Sequence, residues 1–140
     1  MAKVEITSNV DKVIQNTELA IEQALEICGG MCESHAKDNL TAFPRVDTGT
    51  LRNSITHKVN SEDEEVYIGT NVDYGPYVEY GTGIYAEQGG RQTPWFYVDA
   101  KGKGHYTRGM KPSHFLRNAL QDNMQEYQNV INDCLNNAVK

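Results

Sequence analysis

Cys28, Cys32 and His35 stand four and three residues apart, a spacing that sets two thiols and an imidazole on one helix face. Thiolate and imidazole are the ligands that zinc prefers. A closed site needs a fourth ligand, and the remaining candidates are His57, His105, His114 and Cys134, none of them in a metal-spacing motif. The three positions also continue an apolar stripe that starts far upstream, and a buried thiol packs as a small hydrophobe. The expectation is therefore core cysteines and no metal. Asp47, Asp73, Glu79 and Glu87 could supply paired carboxylates for acid–base work. Scattered through an acidic chain, they read better as a solvated surface. A nucleophile elbow, a phosphate-binding P-loop and a His-Glu-x-x-His pair are absent from the sequence. Gly81-Thr82-Gly83 lacks the further glycine and helix of a dinucleotide fingerprint. Neither an enzyme nor a cofactor is expected.

The other chemistry is one of surfaces. Formal net charge is −6, unevenly spread. Residues 1–90 hold 6 Lys/Arg against 15 Asp/Glu, whereas residues 91–117 hold 6 Lys/Arg against Asp99 alone. An acidic body repels a phosphate backbone, so general nucleic-acid binding is disfavoured, and no direct sequence-specific binding is expected. The basic segment is rich in aromatics and admits three readings. It could be a nucleic-acid surface over 91–117, with Trp95, Tyr97 and Tyr106 stacking on bases and Lys101, Lys103 and Arg108 meeting phosphates. It could be a hairpin whose aromatics pack on one side. It could be an arm that completes its burial only against a partner, because the flanking glycines make it costly to order alone. The third reading makes Tyr85, Arg91, Trp95, Tyr97, Lys101, Lys103, Tyr106 and Arg108 candidate contacts to a second copy or another protein.

The elements that must position these groups follow from periodicity. Val10, Val13, Ile14, Thr17, Ala20, Ile21, Ala24, Leu25, Cys28, Met31, Cys32 and His35 alternate three and four apart, which predicts one long helix over 9–41. Ser8 or Asn9 is the expected cap. Gly29-Gly30 sits inside it, so the helix either bends there or accepts the glycines for packing. Phe43-Pro44 ends it. In VDTGTLRNSI, Asp47 suits an N-cap, and Leu51 and Ile55 share one face of a short helix over 48–55. ITHKVN and EEVYIGT predict a β-hairpin. Tyr74, Tyr77 and Tyr80 fall three apart on a short helix opened by Pro76. Residues 81–111 carry 7 of the 12 glycines. Within them PWFYVDA and HYTRG predict a second hairpin around Lys101-Gly102-Lys103-Gly104. A C-terminal helix over 113–138 follows, capped by Ser113, with Phe115, Leu116, Ala119, Leu120, Met124, Tyr127, Ile131, Cys134, Leu135 and Ala138 as its core face.

A chain of 140 residues, 39% hydrophobic and 23% charged, reads as a single domain over 1–140 with 81–111 as a flexible arm within it. No apolar run approaches the ~18 residues of a membrane span, so no membrane partner is expected. The first residues lack an apolar signal core, and three cysteines form no disulfide framework, which points to synthesis in a reducing cytoplasm.

Three motifs in order, Asp-Thr-Gly-x-Leu-x-x-Ser, Tyr-x-x-Tyr-Val-Glu-Tyr-Gly-Thr and Pro-x-x-Phe-Leu-x-x-Ala-Leu, resemble the tail-component family of long-tailed bacteriophages labelled HK-ninety-seven gene-product-ten-like. The resemblance spans about residues 10–135. It rests on Asp47, Thr48, Gly49 and Leu51, then Tyr74, Tyr77, Val78, Glu79, Tyr80, Gly81 and Thr82, then Pro112, Phe115, Leu116, Ala119 and Leu120. It implies an α+β fold, with a long N-terminal helix and a C-terminal helix packed on a small, mainly antiparallel sheet. It also implies a virion structural protein that acts in tail completion or head–tail joining at the neck. The partners implied are further copies in a ring, expected as a hexamer, and neck, connector or tail-tube proteins, with assembly in the host cytoplasm. None of the motif residues is catalytic in that family.

Overall fold

The apolar stripe folds into a single helix, α1 (Val10–Thr41), within one residue of the predicted start. The structure, a computed structural model, describes residues 5, 8–43, 48–98 and 101–139. Asn9 takes the N-cap position without a side-chain hydrogen bond. The predicted Asp47 cap and the Pro44 terminator lie outside the described residues. After α1 come α2 (Thr48–Ser54), β1 (Thr56–Asn60), β2 (Glu65–Gly69), α3 (Gly75–Tyr80), β3 (Trp95–Val98), β4 (Gly104–Thr107), α4 (Phe115–Gln121) and α5 (Met124–Ala138). The two hairpins form separate antiparallel two-stranded sheets, β1–β2 in register Thr56↔Gly69 and β3–β4 in register Trp95↔Thr107. The α+β expectation holds.

The core lies between α1 and everything that packs along it, namely α5, α4, α2 and the β1–β2 hairpin. Cys28, Cys32, Ala36 and Leu40 of α1 meet Leu51, Ile55, Val78, Phe115, Ala119 and Tyr127. Phe115, Leu40, Leu51, Ile55 and Val78 are its largest fully buried side chains. Each contributes about 1.5–3 kcal/mol relative to exposure. The apolar spacing of α1 outruns its partners, however: Val10, Val13 and Ile14, read as core face, are exposed.

Gly29 and Gly30 leave the helix unbroken, and the reason is close packing. A Cβ on Gly29 would lie 2.6 Å from His57 Cδ2 and 2.8 Å from Val66 Cγ2, so the hairpin sits directly on the α1 backbone there. A Cβ on Gly30 would have its nearest neighbour at 3.9 Å. Beside this contact His57 is held between two carboxylates two helical turns apart on α1. Its Nε2 lies 2.7 Å from Glu26 Oε1 and its Nδ1 3.0 Å from Glu33 Oε2. The hydrogen bond to Glu26 is the largest influence raising its pKa, partly offset by desolvation and helped by Glu33.

The predicted single C-terminal helix is two. It starts at Phe115 rather than Ser113 and breaks at Asp122-Asn123. The break has a local cause: Asn123 Nδ2 donates to the Ala119 carbonyl at 3.0 Å, and the Tyr127 hydroxyl donates to the same oxygen at 2.6 Å. Those side chains replace the backbone donor that would continue the helix. The break also moves two predicted core residues out of the core, leaving Leu120 50% and Met124 47% exposed. Ser113 does not cap the helix. Its N–H and hydroxyl both donate to the Val78 carbonyl, at 2.9 and 2.8 Å.

Two outcomes test this packing. Gly29→Ala overfills the hairpin seat and is expected to cost about 1–2 kcal/mol in urea unfolding, whereas Gly30→Ala gains up to about 1 kcal/mol of helix propensity. Protonated His57 stabilises the fold, and its folded pKa lies above the ordinary value of about 6.5. That contribution is complete below the unfolded pKa and is lost as pH rises through the raised folded pKa. Unfolding free energy measured from pH 6 to 9 should therefore fall more steeply for the natural chain than for His57→Gln.

Candidate assembly surface

Helix α3 is short, and its buried face is unusual. Pro76 opens it, Val78 and Glu79 point inward, and Tyr77 and Tyr80 face solvent. Glu79 is only 5% exposed. Its Oε2 accepts from the Leu116 N–H at 2.8 Å and its Oε1 from the Arg117 N–H at 3.0 Å. Those are second- and third-position donors at the start of α4, which no intrahelical carbonyl can satisfy. A carboxylate there meets both the unpaired donors and the positive end of the helix dipole. His114, at the N-cap position in the left-handed conformation (φ 52°), makes no side-chain cap. Its N–H donates to the Glu79 carbonyl at 3.2 Å.

The same junction roots the glycine-rich arm. Gly81 ends α3 at φ 82°, where a Cβ would stand 2.8 Å from the Met110 carbonyl oxygen and 2.9 Å from Pro112 Cδ. The Thr82 N–H donates to Met110 O at 2.9 Å, Ile84 N–H to Arg108 O at 3.0 Å, and Met110 N–H to Thr82 Oγ1 at 2.9 Å. Gly83 and Gly109 cross so closely that a Cβ on either would overlap the opposite backbone. The segment around 85–90 is tied down too. Glu87 makes a two-pronged ion pair with Arg117, both contacts 2.7 Å, and its N–H donates to Tyr80 O at 3.0 Å. The Arg117 guanidinium holds the Glu87 carboxyl below its ordinary pKa.

Beyond this root the β3–β4 hairpin carries aromatic pairs on both faces. Phe96 and Tyr106 meet edge to face at 5.3 Å on one, and Tyr97 stacks on His105 at 5.3 Å on the other. The Phe96 ring also covers Gly104. The reading that the aromatics pack on one side is thus corrected: WFYV has no polar alternation, so apolar groups point both ways. Phe96, Tyr97 and Val98 are exposed and Tyr106 is 81% exposed.

Of the predicted contact residues, Arg91 lies over the half-buried Trp95 ring at 5.5 Å, and Tyr85 takes Lys111 at 5.9 Å at the arm's base. Lys101 and Lys103 stand in or beside the hairpin turn, and Tyr97, Tyr106 and the exposed Arg108 lie on or just after the strands. Sequence reasoning missed Phe96, Val98 and Ile84, all exposed. The unbroken apolar run of β3 was the signal for the first two.

A second feature had no sequence signal. An open, mainly apolar groove of about 530 Å³ runs between α1, β2, α4 and α5; its lining includes Leu25, Val66, Tyr67, Ile68, Leu116, Leu120, Met124 and Ile131, with Glu79, Arg117 and Gln128 as its polar members. Through Leu25 it adjoins a smaller groove of about 450 Å³ whose lining includes Glu18, Glu22, Glu62 and Glu64 and no Lys or Arg.

The earlier chemical candidates resolve otherwise. Cys28 and Cys32 are core residues whose thiols burial pushes up in pKa. His35 Nε2 lies 3.3 Å from Glu126 instead. Among the described residues no three His, Cys, Asp or Glu side chains are grouped to hold a metal. Glu79 and Glu87 are structural anchors, Asp73 is exposed, and Asp47 lies outside the described residues.

The family model described as "Bacteriophage HK97-gp10, putative tail-component" matches residues 5–81, more than half of the chain. The chain belongs to that family. It is a bacteriophage tail component, and its place is the virion. No curated protein and no solved structure matches it significantly. The matched span contains the motif residues of 47–51 and 74–81 but stops short of Thr82 and of those at 112–120. In this tail component Glu79 ties the last two motifs together physically. Glu79→Ala should therefore lower unfolding free energy by about 2 kcal/mol, the scale of a lost charged cap. Glu79→Gln, which keeps one acceptor, should lose less; equal stability of all three in urea titrations would overturn the capping role.

Proposed function

We propose that this tail component acts in tail completion or head–tail joining at the neck, by docking and without catalysis. Copies join into a ring, expected as a hexamer, and the ring meets neck, connector or tail-tube proteins. One observation carries the reading: a basic, aromatic arm projects from an acidic body, so the molecule offers two unlike surfaces. A ring contact is heterologous, one patch meeting a different patch on the next copy. Opposite charge steers such encounters and suppresses the wrong ones. The arm of 81–111 is mobile along β3 and β4, beyond its root, in the free subunit and becomes ordered against a neighbour. This delays assembly until the right surface is offered. The chain is made in the host cytoplasm and incorporated into the virion.

The exposed aromatics favour this reading over nucleic-acid binding by 91–117. The rings are paired with one another or with His105, and the body behind them is acidic.

Light scattering over rising protein concentration, with electron microscopy, should detect oligomers and rings. Hydrogen exchange in the β3 and β4 strands should be fast in the monomer and slow in the assembly. Phe96→Ser with Tyr106→Ser should abolish oligomers while leaving the thermal transition within a few degrees. A single-copy mass throughout, with salt-dependent DNA binding lost on Lys101→Ala, Lys103→Ala and Arg108→Ala, would replace this reading by the nucleic-acid one.

A further inference from the structure

We infer that the β3–β4 arm of one copy seats in the apolar groove between α1, β2, α4 and α5 of the next, with its turn reaching the adjoining acidic groove. The inference rests on the ring reading and names its two faces. A hairpin apolar on both faces cannot be covered by a flat surface. It needs two walls, and the groove is lined by two elements that can supply them: strand β2, through Val66 and Ile68 with Tyr67 at its outer side, and the helix break, through Leu120 and Met124. Leu120 and Met124 are left half exposed by a break that the chain's own side chains impose. No segment of the same chain among the described residues covers them.

Charge fixes the direction of insertion. In the sequence the arm's turn region carries Lys101 and Lys103 against Asp99 alone, while the adjoining groove presents Glu18, Glu22, Glu62 and Glu64. Aromatic sides in the apolar part therefore bring the lysines to the acidic part. The exposed first turns of α1, with Val10, Val13 and Ile14, are the competing seat. They present a single convex helix face and offer no second wall. They also carry Lys12 next to Asp11, so they lack a matching charge.

The test replaces Tyr106, which is highly exposed, by the photocrosslinker benzoylphenylalanine in the full chain, in a mixture of isotopically light and heavy copies. Irradiation of the assembled protein is expected to join position 106 of one copy to peptides containing Tyr67, Leu120 or Met124 of another. Joining to residues 10–14 of another copy, or to the groove of the same chain, would overturn this inference and leave ring formation standing. A protein that stays a single copy at every concentration would overturn both.

Charge exchange gives an independent readout. Lys101→Glu with Lys103→Glu should weaken association roughly tenfold. Adding Glu18→Lys and Glu22→Lys, both on the exposed side of α1, should restore it. Weakening without restoration would overturn the placement of the turn.

Discussion

Helix α4 has no cap of its own. The residue before it is a left-handed histidine, and the serine before that gives both its donors to the Val78 carbonyl. The start of α4 is satisfied instead by Glu79, a carboxylate 37 residues earlier in the chain. A buried carboxylate is tolerable only where donors and opposite charge compensate its desolvation. Two N–H groups and the helix dipole do so here. The arrangement is reciprocal, since α4 needs the carboxylate and the carboxylate needs α4. Much of the architecture depends on that mutual need. It fixes where α3 ends, hence where the arm leaves the body, and it fixes where α4 begins, hence one wall of the groove. The cost is visible at His114, held at φ 52° with a buried Nδ1 that has no hydrogen-bond partner among the described residues and lies 3.9 Å from Glu79 Oε1.

The root of the arm extends the same junction. Gly81, Gly83 and Gly109 all have positive φ, and at each a Cβ would strike the opposite backbone. The five glycines of 81–111 with positive φ therefore fall into two kinds. Those at the root permit a tight, hydrogen-bonded crossing. Gly89 and Gly102 also have positive φ but meet nothing within 4 Å of a Cβ, so there the requirement is turn geometry alone. Counting glycines in the sequence merges the two kinds and makes the whole segment look loose, although its first and last residues are clamped.

What could be read from the sequence was what depends on near neighbours. The 3.6-residue spacing gave α1, and strand-like runs bounded by turn residues gave both hairpins, because each signal lies within a few residues of the structure it predicts. The three-motif resemblance likewise drew on local strings. The failures are non-local or competitive. Asn123 and Tyr127 look like ordinary helix residues until both are seen to compete for the Ala119 carbonyl. Glu79 looks like one more surface acid in an acidic chain until α4 is placed beside it. Val10, Val13 and Ile14 obey the helical period, but periodicity does not say where the packing partners stop. The groove combines two of these misses, since it exists only because the helix breaks and exposes Leu120 and Met124.

Charge and apolar exposure then have to be weighed together. An isolated subunit with Phe96, Tyr97, Val98, Tyr106, Leu120 and Met124 exposed carries two sticky surfaces, ordinarily a liability for indiscriminate association. Net charge of −6 opposes that, because acidic bodies repel one another at distances up to the Debye length, about 8–10 Å at physiological salt. The repulsion is not uniform. The stretch 91–117 is basic apart from Asp99, so an approach arm-first toward an acidic body is the one favoured electrostatically. Apolar burial supplies the adhesion and charge selects the orientation in which adhesion occurs. In the proposed ring, orientation matters most, because a contact that closes a ring must be made the same way at every interface, and one wrong addition leaves an open end.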